Sequence, residues 1–242
     1  MDKIQKLKEL LAEATHVAAI TGAGISTESD IPDFRSQGGL YNTAISPVLF
    51  SPWYIRWLPD RWYRKLSPMY MRIANSQPNM GHKALQRLEE GGKHVTVLTQ
   101  NIDGLHQAAG SKHVLELHGT LSSLTCMKCG KHQAASAEGY KAAARLGKAI
   151  RCTCGGCMRP DIVMFGERLP YDALDKAKVA VMEAQVVLVI GTSAKVSTVK
   201  NLLKYNIEGT PIVVVNNEAT AVDGLADIVI NDSIGKVLDA VC

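Results

Sequence analysis

No apolar run in this 242-residue chain approaches the ~20 residues a membrane-spanning helix needs, which argues against a membrane protein of that kind. A secretion signal is missing too. The opening residues, Met1-Asp-Lys-Ile-Gln-Lys-Leu-Lys-Glu-Leu-Leu, instead set Ile4, Leu7, Leu10 and Leu11 on one face of an amphipathic helix. The expectation is a soluble, cytoplasmic protein. Excess charge is scarce: 27 Lys and Arg against 23 Asp and Glu leave +4, too little to argue for nucleic acid as a partner. There is no internal repeat and no low-complexity linker. Cysteines number six, and five of them fall between Cys126 and Cys157. Without a secretion signal, that clustering speaks for metal binding in a reducing compartment rather than for disulfides. Cys242, at the end of the chain, is expected to do nothing specific.

What is present is ordinary globular material, with 46% hydrophobic and 21% charged residues, enough for a core of normal size. Short continuous apolar runs recur at His16–Ile20, Val95–Leu98, Val114–Leu117, Val186–Ile190, Ile212–Val215 and Asp227–Ile230. Helical patterns over Gly81–Glu90, Tyr171–Ala184 and Ser197–Ile207 separate several of them. Val/Ile-rich runs alternating with helices predict an α/β fold, a Rossmann-like parallel sheet with helices on both faces. Two stretches break the rhythm. Residues 37–77 are rich in Pro, Trp, Tyr and Arg, and residues 120–160 hold the cysteines around a helical, alanine-rich middle. Both read as insertions forming a small helical and zinc-ribbon domain, which leaves 1–36, 78–119 and 161–242 to the Rossmann-like domain.

The chemistry-bearing residues cluster at strand ends. Gly22-Ala23-Gly24-Ile-Ser-Thr27 follows the first run, where glycines let backbone N–H groups approach a pyrophosphate. Thr27 stands where a dinucleotide fingerprint would have its third glycine, so this piece alone is weak. Ile31-Pro-Asp33-Phe34-Arg35 adds a stiff turn, an acid, a ring and a phosphate partner. Thr99-Gln100-Asn101-Ile102-Asp103 follows the second run, at the edge where open parallel sheets bind ligands. His118-Gly119 closes the third, placing an imidazole suited to general-base work where His106 and His113 are its nearest competitors. Gly191-Thr192-Ser193 and Asn216-Asn-Glu218 end two more runs and could hold phosphate and ribose. Cys126-Met-Lys-Cys129 and Cys152-Thr-Cys154-Gly-Gly-Cys157 match a closed four-thiolate zinc site, the second pair being either Cys152 with Cys154 or Cys154 with Cys157.

Taken in order, these motifs, with Arg159-Pro-Asp-Ile-Val163 and Phe165-Gly166-Glu167, resemble the sirtuin family over nearly the whole chain. The resemblance implies NAD bound as a consumed co-substrate between a Rossmann-like domain and a small domain carrying one structural zinc ion. Gly22, Ala23, Gly24, Thr27, Asp33, Phe34 and Arg35 would then lie along the cofactor loop. Gln100, Asn101, Ile102 and Asp103 would line the nicotinamide and ribose pocket, with Asp103 on the carboxamide. Thr192, Ser193 and Asn216 would face phosphate and adenosine, with Ile234 near adenine. His118 would be the general base and Asn101 its catalytic companion. Val163, Phe165, Gly166, Glu167 and Val196 would hold an acetylated lysine of a protein substrate, the peptide adding as a strand. The implied activity is protein lysine deacetylation: the acyl oxygen displaces nicotinamide to give an alkylimidate, His118 activates a ribose hydroxyl, and the acetyl group ends on ADP-ribose. Mono-ADP-ribosyl transfer or long-chain deacylation are the alternatives on the same fold.

Three departures from the family pattern stand out. Asp30 replaces the glycine usual before Ile-Pro-Asp-Phe-Arg. Counting back from Arg159-Pro-Asp161 makes Cys154 the fourth zinc ligand and Cys152 the third, in an unusually short Cys-x-Cys. The Tyr-x-x-Arg pair of sirtuins that remove succinyl or malonyl groups is absent, since Leu66 follows Tyr63 and Ile73 follows Tyr70 at that spacing. Acetyl or longer neutral acyl groups are therefore expected. Two rival readings exist outside the family. A dehydrogenase would keep the third glycine and an acid at the end of the second strand. A zinc-ribbon nucleic-acid module would use Arg56, Arg61, Arg64, Lys65 and Arg72 interleaved with Trp53, Trp57 and Trp62.

Overall fold

The structure, a computed structural model, describes residues 2–34, 38–40 and 45–242. Helix α1 (Lys3–Glu13), capped by the Asp2 carboxylate, leads into β1 (His16–Thr21) and then a 3₁₀ segment, Ala23–Ser29. After a second 3₁₀ turn, Pro47–Phe50, come α2 (Pro52–Trp57), α3 (Pro59–Asn75), α4 (Met80–Glu90), β2 (His94–Thr99), α5 (Leu105–Ala109) and β3 (Val114–Glu116). Then follow β4 (Gly119–Cys126), β5 (His132–Ala134), α6 (Ala137–Leu146) and β6 (Met158–Ile162). The chain closes with α7 (Tyr171–Glu183), β7 (Val186–Ile190), α8 (Ser197–Leu203), β8 (Ile212–Val215), β9 (Ile228–Ile230) and α9 (Ile234–Val241).

All six apolar runs become strands of one parallel sheet in the order β3-β2-β1-β7-β8-β9. Omitting the strands that lie elsewhere, this is the doubly wound order, whose direction reverses between β1 and β7. Strand side chains alternate between faces, so each run serves two cores. Val17, Ala19, Val95, Val97, Leu188 and Ile190 pack with α1, α4 and α9, while Ala18, Ile20, Leu98, Val187 and Val189 pack with α7 and α8. That double burial explains why the runs are continuously apolar and not alternating. Helix α8 ends at Leu203, short of the expected Ile207.

The cysteine-bearing stretch holds more strand than its sequence suggested. β4, β5 and β6 form an antiparallel sheet in the order β5-β4-β6. A third core joins this sheet to α3 and α6 through Trp62, Tyr63, Leu66, Tyr70, Leu124, Tyr140 and Met158. The rings satisfy their polar ends inside it: Trp62 Nε1 donates to the Leu49 carbonyl at 2.7 Å and Tyr63 Oη to the Met158 carbonyl at 2.7 Å. With Trp62 buried and only Trp53 and Trp57 exposed, the arginine-rich stretch lacks the continuous stacking face that a nucleic-acid module needs.

Asp30 sits in the left-handed region, φ 62° and ψ 17°, and closes the 3₁₀ segment with its N–H directed at Ser26 and Thr27. The turn that glycine would make is thus made by aspartate, which adopts this conformation more readily than most residues.

Candidate active site and family

The carboxyl ends of β1, β2 and β7, the loop after β3 and the chain leaving β6 surround a cleft of about 950 Å³. It opens at the switch between β1 and β7, the position where open α/β sheets bind their ligands. Gly24 is fixed by its neighbours: its N–H donates to the Gly191 carbonyl at 2.7 Å, and a Cβ there would meet that same oxygen at 2.7 Å. Gly22 is crowded in the same way by Thr192, and it does not form part of the cleft wall. The glycines therefore let two strand-end loops interlock, a requirement that a fingerprint read from sequence does not reveal.

Ala23, Gly24, Thr27, Asp33 and Phe34 line one side of the cleft. Arg35 lies outside the described residues. Thr192, Ser193, Asn216 and Ile234 line the far side, at the ends of β7 and β8 and the start of α9. Asn216 Nδ2 donates to the Glu218 carbonyl at 2.6 Å, tightening the β8 exit.

Between these walls, the segment after β2 forms a directed network. Asn101 Nδ2 donates to the Gly22 carbonyl at 3.2 Å and to Ser26 Oγ at 3.0 Å. Ser26 Oγ in turn donates to Asp103 Oδ2 at 2.8 Å, and Asp103 Oδ1 accepts the Leu105 N–H at 3.0 Å. Behind Ser26 stands His82, whose Nδ1 accepts the Asn79 N–H at 3.3 Å. Its proton therefore rests on Nε2, 3.4 Å from Ser26 Oγ. Burial lowers the His82 pKa to about 4, so this ring stays neutral and points its N–H toward the site. Burial also raises the Asp103 pKa, against hydrogen bonds from Leu105 and Ser26 that favour the carboxylate. Ser26 and His82 were not singled out from sequence. Ser26 was visible within Gly-Ala-Gly-Ile-Ser, but His82 lies far along the chain on α4 and no local pattern marks it.

Gln100 places Oε1 on the Thr192 hydroxyl at 3.0 Å, while its buried Nε2 has no partner among the described residues. A buried amide donor beside a cleft that combines glycine turns, amides and a carboxylate fits a polar, phosphate-bearing ligand such as NAD.

Among the described residues, His118 is the one histidine of the seven that lines the cleft. β3 ends at Glu116, so His118 belongs to the turn between the two sheets. Its Nδ1 donates to the Gln100 carbonyl at 3.0 Å, and its own carbonyl accepts the Val163 N–H at 2.8 Å. Nε2 is thereby left as the basic nitrogen. Burial lowers the pKa below its ordinary value, partly offset by the Gln100 carbonyl, so the ring is ready to take a proton at neutral pH. Gly119, at φ 76°, packs so closely on the Asp161 carbonyl that any side chain would collide with it. His106 is buried against Thr21 Oγ1 at 3.0 Å, and His113 is exposed beside His94, away from the cleft.

Val163, Phe165, Gly166, Glu167 and Val196 also line the cleft. Phe165 and Val196 are exposed apolar side chains of that lining. The Glu167 carboxylate is turned to Arg159, 2.7 Å away, and to the Met164 N–H at 2.9 Å. These contacts hold the loop that follows β6.

The sulfurs of Cys126, Cys129, Cys152 and Cys154 all lie within 4.8 Å of one another, with 3.5 Å from Cys126 to Cys154 and 3.8 Å from Cys129 to Cys152. Tetrahedral zinc with Zn–S near 2.3 Å requires sulfurs roughly 3.8 Å apart, so the set fits that ion. Cys157 lies outside the cluster, its thiol directed at the Met158 carbonyl and its pKa pushed up to about 11 by burial. At the base of α3, Asp60 accepts the Ala149 N–H at 2.9 Å and pairs with Lys148 and Arg151, tying the chain ahead of Cys152 to that helix.

Comparison with known proteins agrees with this geometry. The model of the Sir2 family matches residues 22–198. An NAD-dependent protein deacetylase of Clostridium acetobutylicum is 39% identical over 246 residues, covering 100% of this chain and 98% of that protein. NAD-dependent protein deacetylase 1 of Pyrobaculum aerophilum is 40% identical, covering 98% of this chain and 92% of its own. Among solved structures, a Sir2 homologue in complex with NAD superposes with a TM-score of 0.86 at 34% identity, covering 100% and 92% of the two chains. A Sir2 protein with a deacetylated p53 peptide and 3′-O-acetyl ADP ribose gives 0.88 at 34%, covering 99% and 97%. Similarity in sequence and in backbone, end to end, establishes that this chain belongs to the Sir2 family.

Proposed function

We propose that this protein is an NAD-dependent protein lysine deacetylase, which moves the acetyl group of an acetylated lysine onto ADP-ribose and releases nicotinamide. The observation that carries the reading is His118: Nδ1 tied to a carbonyl and Nε2 open, in the same cleft as the glycine turns and the Asn101–Asp103 segment. When bound, NAD supplies a ribose carbon made electrophilic by the nicotinamide leaving group.

The protein's own residues then have separable tasks. Gly22, Ala23, Gly24, Thr27, Asp33 and Phe34 form the cofactor loop, and Thr192, Ser193, Asn216 and Ile234 hold the phosphate and adenosine end. Gln100, Asn101, Ile102 and Asp103 orient nicotinamide and its ribose, with Asp103 taking the carboxamide. Ser26 braces Asn101 and Asp103 against each other. His118 accepts a ribose hydroxyl proton at Nε2, while Nδ1 stays bonded to Gln100. Phe165 and Val196 cover the peptide on both sides and exclude water from the reacting carbon. The inner wall, with Phe50, Met69 and Ile73, is apolar and suits a neutral acyl chain, so longer neutral acyl groups remain within reach. Cys126, Cys129, Cys152 and Cys154 hold one structural zinc ion, a closed site that does no chemistry.

Residues 1–36, 78–119 and 161–242 are assigned to the Rossmann-like unit, and 37–77 with 120–160 to the smaller one. Acetylated proteins are the substrates. Four reduced cysteines suit the cytoplasm. No helix among the described residues is long and apolar enough to cross a membrane.

The test is incubation with NAD and acetyl-lysine peptides, with products identified by mass. Nicotinamide, free lysine peptide and O-acetyl-ADP-ribose in equal amounts are expected. Formation of NADH, or transfer of ADP-ribose to protein without loss of acetyl, would overturn the assignment.

A further inference from the structure

Three of the seven histidines take no part in the cleft and stand in one row. His16 and His94 open β1 and β2, and His113 immediately precedes β3. They lie at the amino ends of three neighbouring parallel strands, the pole opposite the cleft. His16 and His94 are in direct register, with ring centroids 5.3 Å apart and planes tilted by 49°. His94 and His113 are 4.6 Å apart, tilted by 46°. All three are exposed and border a hollow of about 540 Å³. Its other wall is α7, which presents Asp175, Lys176 and Glu183. Asp175 is engaged by Lys178 at 2.7 Å, whereas Glu183 has no hydrogen bond or ion pair among the described residues.

The state of the ring nitrogens gives this row a chemical direction. His16 Nδ1 meets the Thr15 hydroxyl at 3.0 Å, and His94 Nε2 meets the Thr96 hydroxyl at 3.4 Å. His16 Nε2, His94 Nδ1 and both nitrogens of His113 have no partner among the described residues. One nitrogen steadied by a hydroxyl and the other left free is the arrangement in which imidazole binds a metal, the outer contact fixing the tautomer. Two nitrogens on a tetrahedral zinc ion at 2.0–2.1 Å stand roughly 3.3 Å apart. The neighbouring rings, with centroids 5.3 and 4.6 Å apart, have to turn toward one another to reach that separation, since the strands that carry them are held in the ladder and the exposed side chains are what can move.

We propose that His16, His94 and His113, with Glu183 as the carboxylate of the same hollow that no cation holds among the described residues, form a second metal site for a borderline divalent cation: zinc, nickel or copper. Imidazole and carboxylate donors suit these ions, and the ligand set differs in kind from the four thiolates. His94 stands in the middle and touches both neighbours, so the site depends on it most.

The experiment uses the full chain with its cysteine-bound zinc in place. Equilibrium dialysis against Zn²⁺, and separately against Ni²⁺, is followed by metal analysis. The wild type is expected to hold one ion per chain beyond the cysteine-bound zinc. Its melting temperature should rise with added Ni²⁺, as mass action requires for a ligand of the folded state. His94→Ala and the gentler His94→Gln should weaken the extra ion by at least about 10-fold and flatten the melting response. His16→Ala and His113→Ala should each weaken it less. Melting of every variant without added metal reports its folding. A wild-type chain that stays at one ion under saturating Zn²⁺ and Ni²⁺ would overturn the proposal. So would an extra ion retained at full affinity by folded His94→Ala and His94→Gln.

Discussion

Replacing His118 with alanine separates proton transfer from binding, because this ring is attached to the cleft through one backbone contact. Among the described residues its only hydrogen bond through the ring is Nδ1 to the Gln100 carbonyl, and the Asn101–Ser26–Asp103 network does not include it. Losing that bond costs about 1 kcal/mol of stability. In a chain of this size that lowers the melting temperature by about 2–4 °C, so the variant remains folded at assay temperature. Losing the base removes about 10²–10⁴ in turnover, equivalent to about 3–5 kcal/mol of transition-state stabilisation. NAD binding and some exchange of labelled nicotinamide should survive, since the proton acts only after nicotinamide has left. His113→Ala should be nearly silent, its ring being exposed at the far pole. His106→Ala should lose stability through the cavity it leaves but keep most of its turnover per folded molecule. In the wild type, kcat/KM should fall as pH drops through a His118 pKa below the ordinary histidine value, and be level around neutrality. The base is the deprotonated ring, and burial extends the pH range in which it exists. Peptide turnover and nicotinamide exchange, measured side by side on the three variants, are the assays. Near-normal turnover in folded His118→Ala refutes the assignment, and loss confined to His106→Ala transfers it there.

Chelation or Cys126→Ser should melt the β4–β6 sheet and its surroundings, because thiolate-bound zinc in such modules contributes about 10–16 kcal/mol. Circular dichroism and calorimetry check this, and unchanged melting in metal-free protein would contradict it. Cys157→Ser should matter much less than Cys152→Ser, since its sulfur lies outside the cluster. Acetyl-lysine should be cleaved with a higher kcat/KM than succinyl-lysine on the same peptide, and the opposite order would remove the argument from the missing Tyr-x-x-Arg pair. Gly119→Ala should lose more than about 1–2 kcal/mol from its left-handed backbone alone. Displacement of His118 by the Asp161 clash should also lower kcat beyond what the folded fraction explains.

The inner strands of the large sheet could be read along the chain because they are buried on both faces and so carry a nearly continuous apolar signal. Val186–Ile190 is the clearest case, with all five residues buried. The cysteine clusters were legible for a different reason: thiolates must be close in sequence or in space to share an ion, and here they are both. β4 and β6 escaped notice because they are only partly buried, with Ser122, Ser123, Thr125 and Pro160 breaking any apolar run. Only pairing with a partner more than 30 residues away, as of Cys126 with Met158 and Leu124 with Pro160, makes strands of them.

Spacing by itself left open which cysteine stands aside, since Cys-x-Cys and Cys-x-x-Cys are equally tight as text; the family resemblance pointed to Cys152, and the fold gathers its sulfur with the other three. The fold also settled what Gly22 and Gly24 are for, because strand order brings the Gly191–Thr192 loop against them across more than 160 residues. The sense of the hydrogen bonds around His82, Ser26 and His118 belongs to the same category. A sequence names the donors and acceptors, but a proton's position on an imidazole depends on which carbonyl or amide the fold sets beside it. The row of His16, His94 and His113 is the extreme case: three unremarkable letters, 19 to 97 positions apart, made neighbours by parallel register.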